Sequence, residues 1–450
     1  MAGRPSPEKD PSDTISTKLQ RIAALAREDR TRVLTTLAHH IDAEWMEEAY
    51  RRVKKDRAPG VDGQTAAEYE VDLESNLQSL LNRFKSGTYR APPVLRTYIP
   101  KGDGKSKRPI GIPTLEDKVL QKAVAMVLET VYEPFFRDCS CGFRPGRSPH
   151  IALKRIWQGV MDMGGGWVLE VDIRSFFDTL KHSSLRSILN QRVRDGVLRR
   201  VIDKWLKAGV LEEGRLWHPE DGTPQGGVIS PLLSNIYLHE VLDTWFEDQV
   251  KPVLEAPAFL VRYADDFVIV FKSKRDAERV WAVLPKRFAK YGLTLHPEKT
   301  QLVGFKRPPR GGQPSRATRP GSFYFVGFTH YWGRSKRGNL VVKRKTEKSR
   351  LKRGIRRIYL WCKRHRHLPI HKQHKVLCRK IVGHYGFYGI TGNFRSLDRF
   401  RHGATRAWKT WLSRRSYAQP KSWEWFCRVL KTYPLPPARI VHSVYRVVNP

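Results

Sequence analysis

The chain has 450 residues, is 40% hydrophobic, and sets 83 Lys and Arg against 44 Asp and Glu, for a formal charge of +39. The apolar share supports packed cores and excludes a disordered basic tail, and the length allows two or three domains. So large a positive charge calls for a polyanionic partner, because neutralising phosphates releases counterions. No run of about 20 apolar residues is available to span a membrane, so no membrane partner is expected. The five cysteines are irregularly spaced and make no disulfide framework. The expected setting is therefore a reducing cytoplasm; a prokaryotic protein associated with nucleoid or RNA is the expectation.

Residues 1–15, opening "MAGRPSPEKDPSDT", are polar, lack the apolar core of a signal peptide and read as a flexible leader. Residues 16–56 carry apolar positions at helical spacing and end in the turn-forming "APGVDGQT". A second amphipathic stretch covers 66–84. Short β-rich pieces then flank the Gly/Lys loop "KGDGKSKR", and a helix is expected from Leu115 to about Tyr132. Three glycines precede an apolar strand, Trp167–Val171, which ends at Asp172. The loop "DGTPQGGVISPLL" leads into a helix, and "RYADDFVIVF" reads as strand, turn, strand. A helix over about 275–290 follows, then an exposed Arg/Pro/Gly-rich loop at 307–321 and the strand-like "FYFVGFTHYWG". From about 343 the pattern turns to basic residues with apolar ones at helical spacing. Domains are expected at 16–335 and 336–450, the second all-helical, giving an α+β chain with an all-α appendage.

"RYADDFVIVF" carries the chemistry. Successive strand residues point to opposite faces, so only a turn lets Asp265 and Asp266 approach one site. Two adjacent carboxylates suit a divalent cation, and Mg²⁺ keeps positions open for substrate phosphates. Taken alone, the pair reads better as a solvated turn. Asp172, at the end of a second apolar strand with the Ile173 carbonyl beside it, favours a two-metal site for displacement at phosphorus.

These stretches, with "VLEVDIRSFFDTL", "GTPQGGVISPLLSNIYL", "CGFRPGRSPHIAL" and "LTLHPEKTQLVGF" in this order, resemble the group II intron-encoded reverse transcriptase/maturase family over roughly residues 16–440. The resemblance implies a right-hand polymerase with fingers, a ferredoxin-like palm and a thumb, and an all-helical C-terminal thumb/maturase region. It implies RNA-directed DNA polymerase activity with two Mg²⁺ ions, Mn²⁺ as a substitute, held by Asp172, Ile173, Asp265 and Asp266. Lys101, Arg108, Gln225, Gly226 and Lys299 would meet the incoming deoxynucleoside triphosphate. Phe177 would exclude a ribose 2′-hydroxyl, although the ring also suits a core position beside Phe176.

The implied partners are a structured intron RNA, an RNA template, a DNA primer or target, and deoxynucleoside triphosphates. Arg144, Arg147, Lys343, Arg344, Lys345, Lys352 and Arg353 are the candidate RNA contacts. Most aromatic residues of the C-terminal region, Trp408 and Tyr385 among them, read as helical core, with only the charges touching RNA. The family's C-terminal endonuclease, with its cysteine pairs, is not expected here. Two other readings share the same palm. One is a reverse transcriptase recruited to DNA repair or phage defence; the other is a splicing factor without polymerase activity.

Overall fold

The computed structural model describes residues 11–29, 31–100, 107–212, 214–217, 222, 226–309, 320–335, 337–415 and 421–444. Lys101, Gln225 and most of the 307–321 loop lie outside these residues. In chain order the described strands are β1 (Val94–Pro100), β2 (Lys107–Ile112), β3 (Gly165–Val171), β4 (Val210–Glu212), β5 (Arg215–Trp217) and β6 (Ala258–Tyr263). They continue with β7 (Asp266–Phe271), β8 (Gln301–Lys306), β9 (Phe323–Phe325), β10 (Phe328–Arg334) and β11 (Leu340–Thr346).

The central sheet runs β6-β7-β3-β8, antiparallel throughout. Read along the chain it is β3, helices, β6, β7, the helix Lys274–Lys290, then β8, which is the ferredoxin-like split βαβ arrangement. Both faces are covered, so β7 is buried along Phe267–Phe271 and reads as a continuous apolar run. Leu169, Phe267 and Ile269 face one core, shared with the helices Leu115–Tyr132 and Ser230–Leu238. Val168, Val261 and Val268 face another, shared with the helix Pro149–Met163 and with β9 to β11. A small sheet, β2-β1-β4-β5, joins two strands that precede β3 to two that lie between β3 and β6 in the chain. A third core unites the helices Lys348–Arg364, Ile370–Tyr388, Phe394–Ser413 and Trp423–Thr432 around Tyr385, Phe400 and Trp408.

Two boundaries differ from expectation. The first helix starts at Pro11, within the stretch read as a leader, and anchors through buried Ile15 and Ile22. The C-terminal region is not helical from 336. Residues 340–346 form β11, paired with β10 from Phe328↔Thr346 to Arg334↔Leu340, so the expected 335/336 division separates two paired strands. "LVVKRKT" alternates with period two, burying Val342, Arg344 and Thr346 and leaving Lys345 exposed.

Candidate active site

β6 and β7 pair from Ala258↔Phe271 to Tyr263↔Asp266, so Ala264 and Asp265 form a two-residue hairpin loop. Ala264 has φ of 58°, the positive value such tight loops require at their first position. β7 also pairs with β3 as far as Val171↔Phe267. One step along that register sets Asp172 opposite Asp266, on the same face, with Asp265 on the adjoining loop. Ile173 bridges Leu295, flanked by bonds from the Arg174 N–H to the Thr294 carbonyl and from the His296 N–H to the Asp172 carbonyl. The N–H and C=O of Ile173 therefore face away from Leu295, toward the hairpin side of the sheet.

Asp172, Asp266 and Glu170 open onto a cleft of roughly 1070 Å³, lined also by Arg108 of β2, Lys299, the turn after β9, and Arg350 and Arg353. Burial pushes Asp266 up to about 7, reinforced by Asp265 and Glu170. Burial also raises Asp265, with Asp172 adding to the effect and Arg108 opposing it. Glu170 is raised by burial as well. Three carboxyls pushed upward together, each chiefly by burial, mark a desolvated acidic cluster. Lys299 Nζ meets Asp172 Oδ2 at 2.9 Å, held there because the His296 N–H to Asp172 carbonyl bond (2.8 Å) tethers the "HPEK" turn to β3.

The turn after β9 docks on the same acids. The Tyr324 N–H donates to Glu170 at 3.1 Å, and the Val326 N–H donates to Asp266 at 3.0 Å. The Gly327 carbonyl accepts from the Glu347 N–H at 3.1 Å, and the Glu347 side chain caps the helix Lys348–Arg364. The non-glycine residues with positive φ among the described residues are Phe143, Ser175, Ala264 and Val326. Val326 lines the cleft and Ala264 precedes Asp265, positions of the kind where backbone strain of about 1–3 kcal/mol is held by surrounding structure. Glu170 and Val326 were not singled out from the sequence. Glu170 had a signal, since it lies two residues before Asp172 and so on the same face.

The remaining candidates divide. Arg108 is exposed on the cleft wall. Gly226 has φ of 121°, and a Cβ there would meet the Gly111 carbonyl oxygen at 2.4 Å. Its small size thus serves packing on β2. Phe177 is half-buried and edge-on to Phe176 at 5.3 Å. Arg147 pairs with Asp138 at 2.7 Å and remains partly exposed. Lys345 is exposed, Lys343 half-buried, Lys352 exposed, and Arg353 half-buried at the cleft.

Two RNA-contact candidates are corrected. Arg144 is buried, and its guanidinium is committed to Glu133 and the carbonyls of Phe136, Arg137 and Ser140. With five N–H groups so engaged, it holds the "CGFRPGRS" loop and has none to offer a phosphate. Arg344 is buried at 1% exposure, across β10–β11 from His330, and is sealed from any RNA surface.

The acidic oxygens and the Ile173 carbonyl are hard donors of the kind that suit a divalent ion such as Mg²⁺. As placed, no three His, Cys, Asp or Glu side chains among the described residues close on one point. Asp172 is turned to Lys299 and Asp266 to Val326, so the ammonium of Lys299 is the cation held at Asp172. The donors fit in kind.

Paired acids on a hairpin, a third acid on the neighbouring strand and basic walls make this cleft the candidate site for chemistry on a polyanion. Residues 99–330 match the reverse transcriptase (RNA-dependent DNA polymerase) family. The chain is 30% identical to the group II intron-encoded protein LtrA of Lactococcus lactis subsp. cremoris, over 85% of this chain and 75% of that protein. It is 36% identical to protein YkfC of Escherichia coli, over 58% of this chain and 77% of that one. It is 32% identical to the nuclear intron maturase 4 (mitochondrial) of Arabidopsis thaliana, over 30% of this chain and 17% of that one. The chain belongs to the reverse transcriptase family, in its group II intron-encoded reverse transcriptase/maturase branch. It is an RNA-directed DNA polymerase, with nucleic acid and nucleotides as its partners and a divalent metal requirement general to the family. No helix among the described residues is long and apolar enough to cross a membrane.

Proposed function

We propose that the cleft between β2, the β6–β7 hairpin and the helix Lys348–Arg364 is where this chain copies an RNA template into DNA. The observation that carries the reading is the register that sets Asp172 opposite Asp266, with Asp265 on the adjoining loop. Asp172, Asp265, Asp266 and the Ile173 carbonyl would hold two Mg²⁺ ions, for which Mn²⁺ can substitute. When bound, the ions supply charge stabilisation of the attacking and leaving oxygens at phosphorus. Arg108, together with Lys101 and Gln225, would bind and orient the triphosphate, Arg through its planar fork of donors. Lys299, already within 2.9 Å of Asp172, would swing from that carboxylate to the departing pyrophosphate. Phe177 would wall off the sugar 2′ position.

In this reading the β2-β1-β4-β5 sheet and the N-terminal helices are fingers, the β6-β7-β3-β8 sheet is palm, and the helices from Lys348 are thumb. Arg147, Lys343, Lys345, Lys352 and Arg353 would contact RNA phosphates. The two relatives whose names refer to introns make a structured intron RNA the favoured partner, with splicing assistance by charge and scaffold and the catalysis of splicing left to the RNA. The test is the double variant Asp265→Ala with Asp266→Ala. Primer extension on RNA should be abolished while intron RNA binding persists. Extension at the wild-type rate would refute the site. Sequencing of RNA that copurifies with the protein would identify the partner, and absence of any intron RNA would refute the maturase reading.

A further inference from the structure

The hairpin that carries Asp265 and Asp266 rests on a fully buried charged network. Arg262, Asp243 and Asn235 are each at 0% exposure. Arg262 Nε donates to Asp243 Oδ1 at 2.8 Å, and Nη2 donates to Asp243 Oδ2 at 2.6 Å and to Ser140 Oγ at 2.8 Å. Nη1 donates to Asn235 Oδ1 at 2.9 Å and to the Ala264 carbonyl at 3.0 Å. The guanidinium's donors are thereby all engaged. Asn235 Nδ2 donates to the Gly142 carbonyl at 2.7 Å. The amide orientation is forced, since Arg offers only donors and a carbonyl only accepts. The backbone of Arg262 is clamped as well: its N–H goes to the Cys139 carbonyl, and its carbonyl accepts from the Cys141 N–H, both at 2.8 Å. Asp243 lies on a widened helical segment with i→i+5 turns, His239–Val250, of the kind found at functional sites.

Stability alone does not explain this unit. Arg262 occupies a core-facing position of β6, in phase with Ala258 and Leu260. There an apolar pair is often as stable as a buried ion pair, or more so. A fixed, directional geometry is what a buried ion pair adds, and here it converges on Ala264. Ala264 is the residue whose left-handed backbone aims Asp265.

We propose that Arg262, with Asp243 and Asn235, is a positioning unit that holds the Ala264–Asp265 loop in its turn before any ion arrives, so that the carboxylate pair is preorganised. The inference rests on reading Asp265 and Asp266 as metal ligands. Preorganisation of this kind lowers the ion concentration at which the site fills, because the loop need not be ordered by the ion itself.

The test uses the full chain with Asn235→Ala, and with Asn235→Asp as the variant that keeps an acceptor for Arg262 but loses the donor to Gly142. Three quantities are read: amide exchange of the 258–271 segment in metal-free protein, binding of Mn²⁺ alone, and the Mg²⁺ concentration for half-maximal primer extension. Releasing the strain of one left-handed alanine corresponds to about a tenfold change. Exchange across the hairpin should therefore rise about tenfold. Mn²⁺ affinity should fall and the Mg²⁺ midpoint should climb by a similar factor, with much of the extension rate recovered at saturating Mg²⁺. A shift in the same direction is expected for Asn235→Asp, which sets an acceptor against the Gly142 carbonyl, and this variant carries the comparison if Asn235→Ala does not fold. Unchanged hairpin exchange, or loss of extension with the Mg²⁺ midpoint unmoved, would overturn the proposal and leave a merely structural ion pair. Asp265→Ala separates the two readings. If that variant still extends primers, the metal assignment fails, whereas the exchange measurement judges the brace on its own.

Discussion

Gly142 offers a perturbation whose size is set by distance. A methyl group on its Cα would stand 2.3 Å from the Ala264 nitrogen, 3.0 Å from the Tyr263 carbonyl carbon and 3.1 Å from Ala264 Cα. Gly142 does not have positive φ, so Gly142→Ala introduces no backbone strain of its own and acts only by pushing. All three atoms met are backbone, so no side chain can swing aside. Ordinary contact begins near 3.4 Å, which demands a displacement of roughly 1 Å, and misplacements of that size cost catalysis about 100-fold. The Gly142 side is held by the Asn235 bond to its carbonyl and by the Cys141 N–H bond to Arg262. The Ala264 carbonyl is bonded to the same Arg262, so the displacement strains the brace beneath the hairpin that carries the acids. Overpacking should cost about 1–3 kcal/mol, a shift of a few degrees in the melting temperature. The assay is single-turnover primer extension on an RNA template, with circular dichroism melting on the same preparation. A loss of about 100-fold in rate with a modest melting shift is expected. Extension within twofold of wild type would refute the reasoning, by showing that the tip can retreat without moving the acids.

Three further outcomes are expected. Asp117 is buried, accepts from Tyr89 O–H and from Trp205 Nε1–H, and burial pushes it up to about 7. Because the folded value lies above the unfolded one, the folded chain keeps this proton where the unfolded chain has lost it. The resulting stability is fully present below about pH 4 and declines as pH rises to about 7, by at most about 4 kcal/mol. Asp117→Asn should flatten that slope in melting curves between these values, and an unaltered slope would count against the assignment. Arg144→Ala should destabilise the chain by about 3 kcal/mol, since it strands Glu133 and three carbonyls, while RNA affinity measured on the remaining folded protein stays at the wild-type value. A selective loss of RNA affinity would restore Arg144 as an RNA contact. Phe177→Val should raise ribonucleotide incorporation relative to deoxynucleotide by about tenfold or more, scored by alkali-sensitive product, and an unchanged ratio would make the ring a core residue only.

What the sequence disclosed was local. The helix Leu115–Tyr132, the hairpin around Asp265 and the strand ending at Asp172 each announce themselves within a dozen residues, through periodicity and turn chemistry. The core placement of Tyr385 and Trp408 was legible for the same reason. What escaped depends on distance along the chain. Arg144 and Arg344 read as solvated charges because a basic side chain looks alike in sequence whether it meets water or a buried partner. Arg262 was hidden in the quoted motif itself, since its partners Asp243 and Ser140 lie 19 and 122 residues away. β11 was overlooked because its lysines and arginine blended into the basic helix that follows, although its period of two was there to be counted.

The bonds from Asp266 to Val326 and from Gly327 to Glu347 amount to a short mechanical linkage. At one end is Asp266, proposed above as a metal ligand, and at the other is the first turn of a helix facing the cleft. Binding free energies at the two ends of such a linkage are reciprocal. A duplex that shifts the helix alters how readily Asp266 leaves its amide for an ion, and an ion that draws Asp266 away loosens the helix. Mn²⁺ affinity measured with and without an RNA–DNA duplex should differ. On the proposed reading of Asp266 as a metal ligand, the ion affinity of the site depends on whether a duplex is seated against that helix.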